Sequence, residues 1–413
     1  MSVITQTMKL LFYPDAQDIP SLVKITQTYA DACNHVSQYI FDHDFCLNSV
    51  ELQKPLYPVL RGQFGLKSQF AISVVKTVTA RYKAVKEQLQ QRPYKWQDEK
   101  GRTHYIQRDL EWLWQPISFQ RPQADCVRGR DYSFVKNKNG EMLLSLNTLE
   151  GRIKAKFEMP EYFEKYFNDG WKFGTGKIVN ECDKWYLHIP MTKKNEKEFD
   201  LDEAKHVVGV DRGLRFIMTT YDETGKTHFF SGKEVMKKRE KFQDVRFELQ
   251  SRGTKSAKRA LKRISGRENR WMSDMNHCLS KTLVELYGED TLFVLEDLQG
   301  ISFSDDNLSN RTKEQRRELR TWAFYQLEFD LDYKARRNKS MVLKVKPDYT
   351  SQRCPKCGRI HKDNRKHETH EYICDNCGYR SNDDRIGAMN IQTLGALYVS
   401  GDTHPRFGKR KEK

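Results

Sequence analysis

The chain has 413 residues, with 72 Lys and Arg against 56 Asp and Glu and a net charge of +16. That length suffices for two or three domains with cores of their own, and aromatic residues at 12 % of the chain exclude collagen-like, mucin-like and wholly disordered classes. The longest apolar runs, such as Phe70–Val75, fall far short of the ~20 residues a membrane-spanning helix needs, and a positive surplus of this size points to a polyanionic partner, most simply nucleic acid.

In chain order, residues 3–13 alternate enough to be a strand. The run is too short for a signal peptide and is broken at Pro14–Asp15, so a cytosolic location is expected. Leu22, Ile25, Tyr29, Ala32, Val36 and Ile40 recur at helical spacing within 20–48. Phe70, Val74, Val78 and Tyr82 do the same from about 68 to 90. From 100 to 195 the text reads as strands, with Asn137–Gly140 turning between 132–135 and 142–146. Trp112, Trp114 and Phe119 are expected in the core of that part, with base stacking as the rival role. The charged run 193–198 reads as a linker.

From His206 the pattern changes to two strand-like runs around Arg212–Gly213, then a turn at 222–225 and a strand at 227–230. One long basic helical stretch is expected over 233–288, and 233–270 alone holds 14 Lys and Arg against 5 acids. Strand 291–298, helix 311–338, strand 341–345 and a closing helix over 383–398 follow. Three strands, then helix–strand–helix–strand–helix, is the element order of a ribonuclease H-like α/β layer fold.

Nine cysteines divide into two kinds. Cys33, Cys46, Cys126, Cys182 and Cys278 stand singly and read as small buried side chains of a reducing compartment. Cys354, Cys357, Cys374 and Cys377 form two Cys-x-x-Cys pairs sixteen residues apart, each followed by glycine. Such a set can offer four thiolates to one zinc ion from two tight turns, the pattern of a zinc ribbon. His361, His367 and His370, in the loop between the pairs, read as solvated side chains, with replacement of a thiolate as the rival role.

Three acids interrupt otherwise apolar or structured text. Asp211 ends the run Val207–Val210, Glu296 sits inside Phe293–Leu298, and Asp383–Asp384 opens the last helix. A carboxylate in a buried strand is costly unless it is paired or holds a cation. Three converging carboxylates suit two Mg²⁺ ions and phosphodiester hydrolysis. Spacing alone leaves open whether Asp383 or Asp384 is the ligand and which one caps the helix.

Gly209–Gly213, Val294–Leu298 and Asp384–Ile391 resemble the three RuvC motifs of the TnpB family, the transposon-encoded RNA-guided nucleases related to miniature type V CRISPR effectors. Arg267–His277, Tyr349–Gly358 and Leu60–Gln69 extend the resemblance along nearly the whole chain. It implies a multidomain α+β protein: an N-terminal β-barrel with an inserted helical bundle, then a ribonuclease H-like (RuvC) domain with an inserted zinc ribbon. The expected parts are a wedge-like barrel over 1–14 and 100–195, a helical recognition domain over 15–99 and a linker over 196–205. The nuclease domain is expected over 206–347 and 383–400, the ribbon over 348–382 and a basic tail over 401–413.

Carried onto this chain, the resemblance makes Asp211, Glu296 and Asp384 the catalytic Mg²⁺ ligands and the four cysteines the zinc ligands. It implies a guide RNA, a double-stranded DNA target with a short flanking motif, a monomer in preference to a homodimer, and a place in the prokaryotic cytosol, on the nucleoid when DNA is bound. The basic 233–270 stretch is the expected phosphate contact, and Ser68 and Gln69 are candidates for reading the flanking motif. One departure is Ile386–Gly387, where the family usually has Asn–Ala. The rival readings are a CRISPR effector with an array-derived guide, a nuclease-dead repressor and a guide-free transposase. The effector subgroup with an N-terminal zinc finger is disfavoured, because no Cys-x-x-Cys precedes residue 354.

Overall fold

The computed structural model describes residues 3–91, 93–195, 198–213, 215–298, 324–366 and 369–408. Thr5–Lys193 forms one compact unit and the chain from Lys194 onward the other. Among the described residues no helix is long and apolar enough to cross a membrane.

In the first unit, strand β1 (Val3–Tyr13) leads into helices α1 (Ile19–Asp42), α2 (Ser49–Gly62) and α3 (Ser68–Gln90). All six apolar positions expected for α1 are buried, as are all four for α3. The expected 20–48 helix stops at Asp42, and α2 is an element the sequence reading missed. Pro55 and Pro58 inside it argue against a helix. Leu52, Leu56 and Leu60, one turn apart and all buried, hold it in place, and the Asn48 side chain accepts from Val50 N at 3.1 Å to cap it.

A hairpin, β2 (Tyr94–Gln97) and β3 (Thr103–Ile106), precedes β4 (Gln123–Cys126), β5 (Tyr132–Lys136), β6 (Met142–Asn147) and β7 (Arg152–Phe157). Helix α4 (Glu161–Asn168), β8 (Lys172–Phe173), β9 (Gly176–Glu181) and β10 (Lys184–Lys194) complete the unit. Its eight-stranded sheet runs β4-β9-β10-β1-β7-β6-β5, with β8 beside β10. The expected turn at Asn137–Gly140 joins β5 to β6, its Asn137 Oδ1 accepting from Asn139 N and Glu141 N at 2.9 Å. Trp112 and Trp114 are exposed, contrary to the core role expected for them. Cys33 and Cys126 are buried as expected, whereas Cys182, in a tight turn of positive φ, and Cys278 are exposed.

The second unit is built on β11 (His206–Asp211), β12 (Phe216–Tyr221), β13 (Thr227–Ser231), β14 (Thr291–Glu296) and β15 (Met341–Val345), in the order β13-β12-β11-β14-β15. β11, β14 and β15 are parallel and the other pairs antiparallel. The single basic helix expected over 233–288 is three: α5 (Lys233–Arg252), α6 (Lys255–Ile264) and α7 (Arg267–Tyr287), broken at Gly253 and Gly266, both with positive φ. Helix α8 (Phe324–Arg337) is the described part of the expected 311–338 helix, whose start lies outside the described residues. The ribbon strands β16 (Arg365–Lys366), β17 (Glu371–Ile373) and β18 (Arg380–Asn382) lead into α9 (Asp383–Val399).

Strand parity sorts the core of this unit into two layers. Val208, Val210, Phe293 and Leu295 pack with Leu283 and Val284 of α7 and Leu327 and Leu331 of α8. Val207, Leu292 and Val294 face the other way, onto Ile391 and Leu394 of α9. Gly209 shares that second face, where a Cβ would lie 2.1 Å from the Ala388 carbonyl oxygen; only glycine lets α9 lie so close to β11.

Candidate active site and cysteine cluster

The same parity carries two acids to one place. Asp211 follows Val207 and Gly209 on the α9 face, and Glu296 follows Leu292 and Val294 on that face. The register Val210↔Leu295 makes them the terminal residues of adjacent parallel strands, at the carboxyl edge where open α/β sheets bind ligands. Asp384, in the first turn of α9, joins them. A Cβ on Gly387, one turn further on, would sit 2.7 Å from Asp211 Oδ2, so the glycine of the departing Ile386–Gly387 pair makes room for this carboxylate.

The three acids feel one another. Burial, then the Glu296 and Asp384 charges, push the Asp211 carboxyl well above the usual carboxylate range. Glu296 is raised by burial, against a hydrogen bond donated by Thr350 Oγ1 and the charges of Arg212 and Arg365. Asp384 is raised by burial and by Asp383, against Arg365 and His370. Three partly buried acids that resist ionisation together form a donor set with unmet demand for positive charge. All-oxygen donors of this kind fit a hard divalent cation such as Mg²⁺.

The surrounding side chains were not singled out by the sequence, apart from His370 and Asp383. Arg365, on the ribbon strand β16, lies 2.9 Å from Asp383 Oδ2 and 3.6 Å from Asp384 Oδ1. Ligating atoms of His370, Asp383 and Asp384 lie within 4.8 Å of one another, so His370 is no plain solvated loop residue. Neither aspartate caps α9: Asn382 does, its Oδ1 accepting from Asp384 N at 3.1 Å and Arg385 N at 3.2 Å. On the far side, the buried Arg212 donates to the Glu296 carbonyl at 2.6 Å and to Glu328 Oε2 of α8 at 3.0 Å. No local sequence signal marks Arg365 or Arg212, because their partners are brought by other elements.

The four cysteines converge as expected. Sγ–Sγ separations are 3.7 Å for Cys354–Cys377 and 3.5 Å for Cys357–Cys374. A tetrahedron with Zn–S bonds of about 2.3 Å has edges of about 3.8 Å, so the set could hold a zinc ion. The two pairs are built alike: Gly358 N donates to Cys354 O at 2.9 Å, and Gly378 N to Cys374 O at 3.0 Å. The Arg359 backbone N–H, first among several donors, brings the exposed Cys357 thiol down to about 6, ready to ligate as thiolate. Burial pushes Cys354 up to about 12. His361 lies 3.8 Å from Asp363 rather than on the cysteines, and His367 lies outside the described residues.

Ser68 and Gln69 both have internal partners: Ser68 Oγ accepts from Tyr57 at 3.0 Å and Gln69 Oε1 from Arg130 at 2.6 Å. In the basic stretch, Arg239 is buried against Glu268, while most of the other cations of α5 and α6 are exposed.

Comparison with known proteins matches two family models, almost wholly within this second unit. Residues 188–300 match one described as "Probable transposase" (OrfB_IS605), and residues 324–391 match "Cas12f1-like, TNB domain". The chain is thus similar to TnpB-like and Cas12f1 proteins across its second half. Among similar TnpB-family and related proteins is a TnpB-like protein of Methanocaldococcus jannaschii, 28 % identical over 241 residues, covering 55 % of this chain and 82 % of that one. A CRISPR-associated endodeoxyribonuclease Cas12f1 of Syntrophomonas palmitatica is 29 % identical over 227 residues, 51 % of this chain and 43 % of the relative. The match therefore spans about half the length, or less, of such Cas12f1 relatives. In fold the chain resembles Cas12f1 solved with sgRNA and target DNA, at a TM-score of 0.63 and 11 % identity over 94 % of this chain and 99 % of that one. It also resembles CasPhi-2 (Cas12j) solved with crRNA and phosphorothioate DNA, at 0.54 and 11 % over 98 % and 92 %.

Proposed function

We propose that this chain is an RNA-guided DNA endonuclease that hydrolyses phosphodiesters at one site formed by Asp211, Glu296 and Asp384. The observation that carries the reading is the convergence of three electrostatically coupled carboxylates at the carboxyl edge of the β11–β14 pair. The sheet order β13-β12-β11-β14-β15 is that of a ribonuclease H-like domain, which supports the RuvC assignment. Two Mg²⁺ ions held by these acids would lower the pKa of an attacking water and neutralise charge on the departing 3′ oxygen.

The protein's own groups prepare that chemistry. Thr350 orients Glu296 through its hydroxyl, Arg365 steadies Asp384, and Arg212 ties the end of β14 to α8. Water gives a proton to solvent as it attacks phosphorus, the P–O3′ bond breaks, and the departing 3′ oxygen takes a proton from solvent. The four cysteines would hold one zinc ion, which would fix the ribbon that carries Arg365 and His370. Relatives named as an RNA-guided or CRISPR-associated endonuclease, and a neighbour solved with sgRNA and target DNA, support the nucleic-acid partners. The exposed cations of α5 and α6 are the phosphate contacts in this reading.

The chain purified with its flanking genomic DNA co-expressed should carry a discrete RNA with a constant scaffold and one variable end. Asp211→Ala should abolish guided cleavage and leave target binding intact. Random cellular RNA at low occupancy, or cutting by a clean Asp211→Ala protein, would overturn the proposal. The match to a Cas12f1-like domain favours one second reading, a CRISPR effector with the same site. A variable end matching a repeat array, rather than a transposon boundary, would select it.

A further inference from the structure

The β2–β3 hairpin stands apart in how it treats its aromatic residues. All eight of its strand residues are exposed, on both faces. Two-stranded ribbons are marginal in water unless something packs on them, yet this one carries Tyr94, Trp96, Tyr105 and Ile106 in the open. Its register pairs Tyr94 with Ile106 and Trp96 with His104, which puts these four side chains on one face. Trp112 extends that face, its ring 5.7 Å from Tyr94, and Trp114, two residues on, is 90 % exposed. The rings are already ordered: Trp96 and His104 stack with centroids 4.6 Å apart and planes within 22°.

The turn that joins the strands is tied down from inside. Asp98 Oδ1 accepts from Lys100 N at 3.0 Å and Arg102 N at 2.8 Å, while Oδ2 lies 3.1 Å from His104 Nε2. With Asp98 turned inward, the hairpin presents Lys95, Lys100 and Arg102 to solvent against the single acid Glu99. Flat rings in the open beside exposed cations, Lys95 lying over the Tyr105 ring at 5.6 Å, form a surface that fits the faces of unpaired bases and the phosphates that link them. A protein partner's apolar patch would match the rings but not the cations.

We propose that the Tyr94–Ile106 hairpin, with Trp112 and Trp114, is a stacking platform for unpaired bases of an RNA strand. It takes from the preceding reading only that RNA is a partner, and it belongs to neither the acid site nor the cysteine cluster. Successive bases would lie on Trp96 and Trp112 with their phosphates toward Arg102 at the turn. Duplex RNA, whose bases are already stacked, has no faces to offer.

The test uses the full chain and a fluorescent, unstructured 12-nucleotide RNA at fixed salt. The double variant Trp96→Ala/Trp112→Ala should weaken binding on the order of tenfold or more. Trp96→Phe/Trp112→Phe, which keeps flat rings, should stay within about threefold of the parent. Trp114→Ala removes a ring without disturbing packing and should cost several-fold. Unchanged binding by both alanine proteins would overturn the platform, as would equal losses for the alanine and phenylalanine pairs, or competition by an RNA duplex as strong as by single strands. None of these readouts involves guided cleavage. A chain that never cuts would sink the nuclease reading and leave this result standing, and the converse holds too.

Discussion

Two glycines beside the acids predict opposite kinds of damage. At Gly209 an added Cβ meets backbone, the Ala388 carbonyl at 2.1 Å and Gln392 N at 2.4 Å, which cannot move without lifting α9 from β11. Gly209→Ala should therefore cost at least about 2 kcal/mol of stability and lower the thermal midpoint. At Gly387 the nearest atoms to the Cβ are all in the Asp211 side chain, Oδ2 at 2.7 Å, Cγ at 2.9 Å and Cβ at 3.5 Å, and none is backbone. Gly387→Ala should keep or raise the midpoint, since alanine favours helix by up to ~1 kcal/mol. Cleavage should still fall about tenfold as the Asp211 carboxylate rotates aside. Calorimetry and single-turnover cutting separate the two; a full-rate Gly387→Ala protein would mean that carboxylate has slack. Asp211 and Glu296 could be found in the sequence because an acid ending an apolar strand needs a reason. Arg365 could not, since it lies eighteen residues before Asp383 and meets it only through the ribbon.

The elements that were easiest to anticipate were those with a clear period. Helices α1 and α3 bury every apolar position their spacing marked, β14 is buried as far as its terminal acid, and β11 is buried over Val208–Val210. Those that escaped were set by context. Helix α2 survives two prolines because its leucines find a core, and the 233–288 stretch breaks into three helices at glycines that a count of charges does not see. The cysteine ribbon joins the two kinds: its ligands were legible from spacing, its contact with the acids was not. Cys374→Ser should take zinc from one ion per chain to none, read by metal analysis of the purified protein. Because the ribbon also carries Arg365 onto Asp383 and Asp384, guided cleavage should fall with it. Zinc-free protein cutting at the parent rate would show that the two sites are independent.

For the molecule as a whole, the raised acids link stability, pH and cations. Asp211, Glu296 and Asp384 all have carboxyl groups pushed upward in the folded chain, chiefly by burial. Neutral acids are the form that folding favours here, so their stabilising effect is full below the ordinary carboxylate range, about pH 4. It is lost as pH rises through the higher folded values. Adding Mg²⁺ should accordingly raise the thermal midpoint more at pH 8 than at pH 5, and Asp211→Asn should shrink that difference. An equal Mg²⁺ effect at both pH values would argue against cation binding by these acids. The sequence by itself pointed to a polyanionic partner and marked the cysteine set, the strand acids and most helical faces, because net charge, spacing and periodicity are local or additive properties. Only the tertiary structure decided that Asn382 caps the last helix, that Gly387 yields space to Asp211, and that Trp96, Trp112 and Trp114 stay in the open. Each of those depends on which distant atoms come to share a volume, and no property of a neighbouring stretch of chain records that.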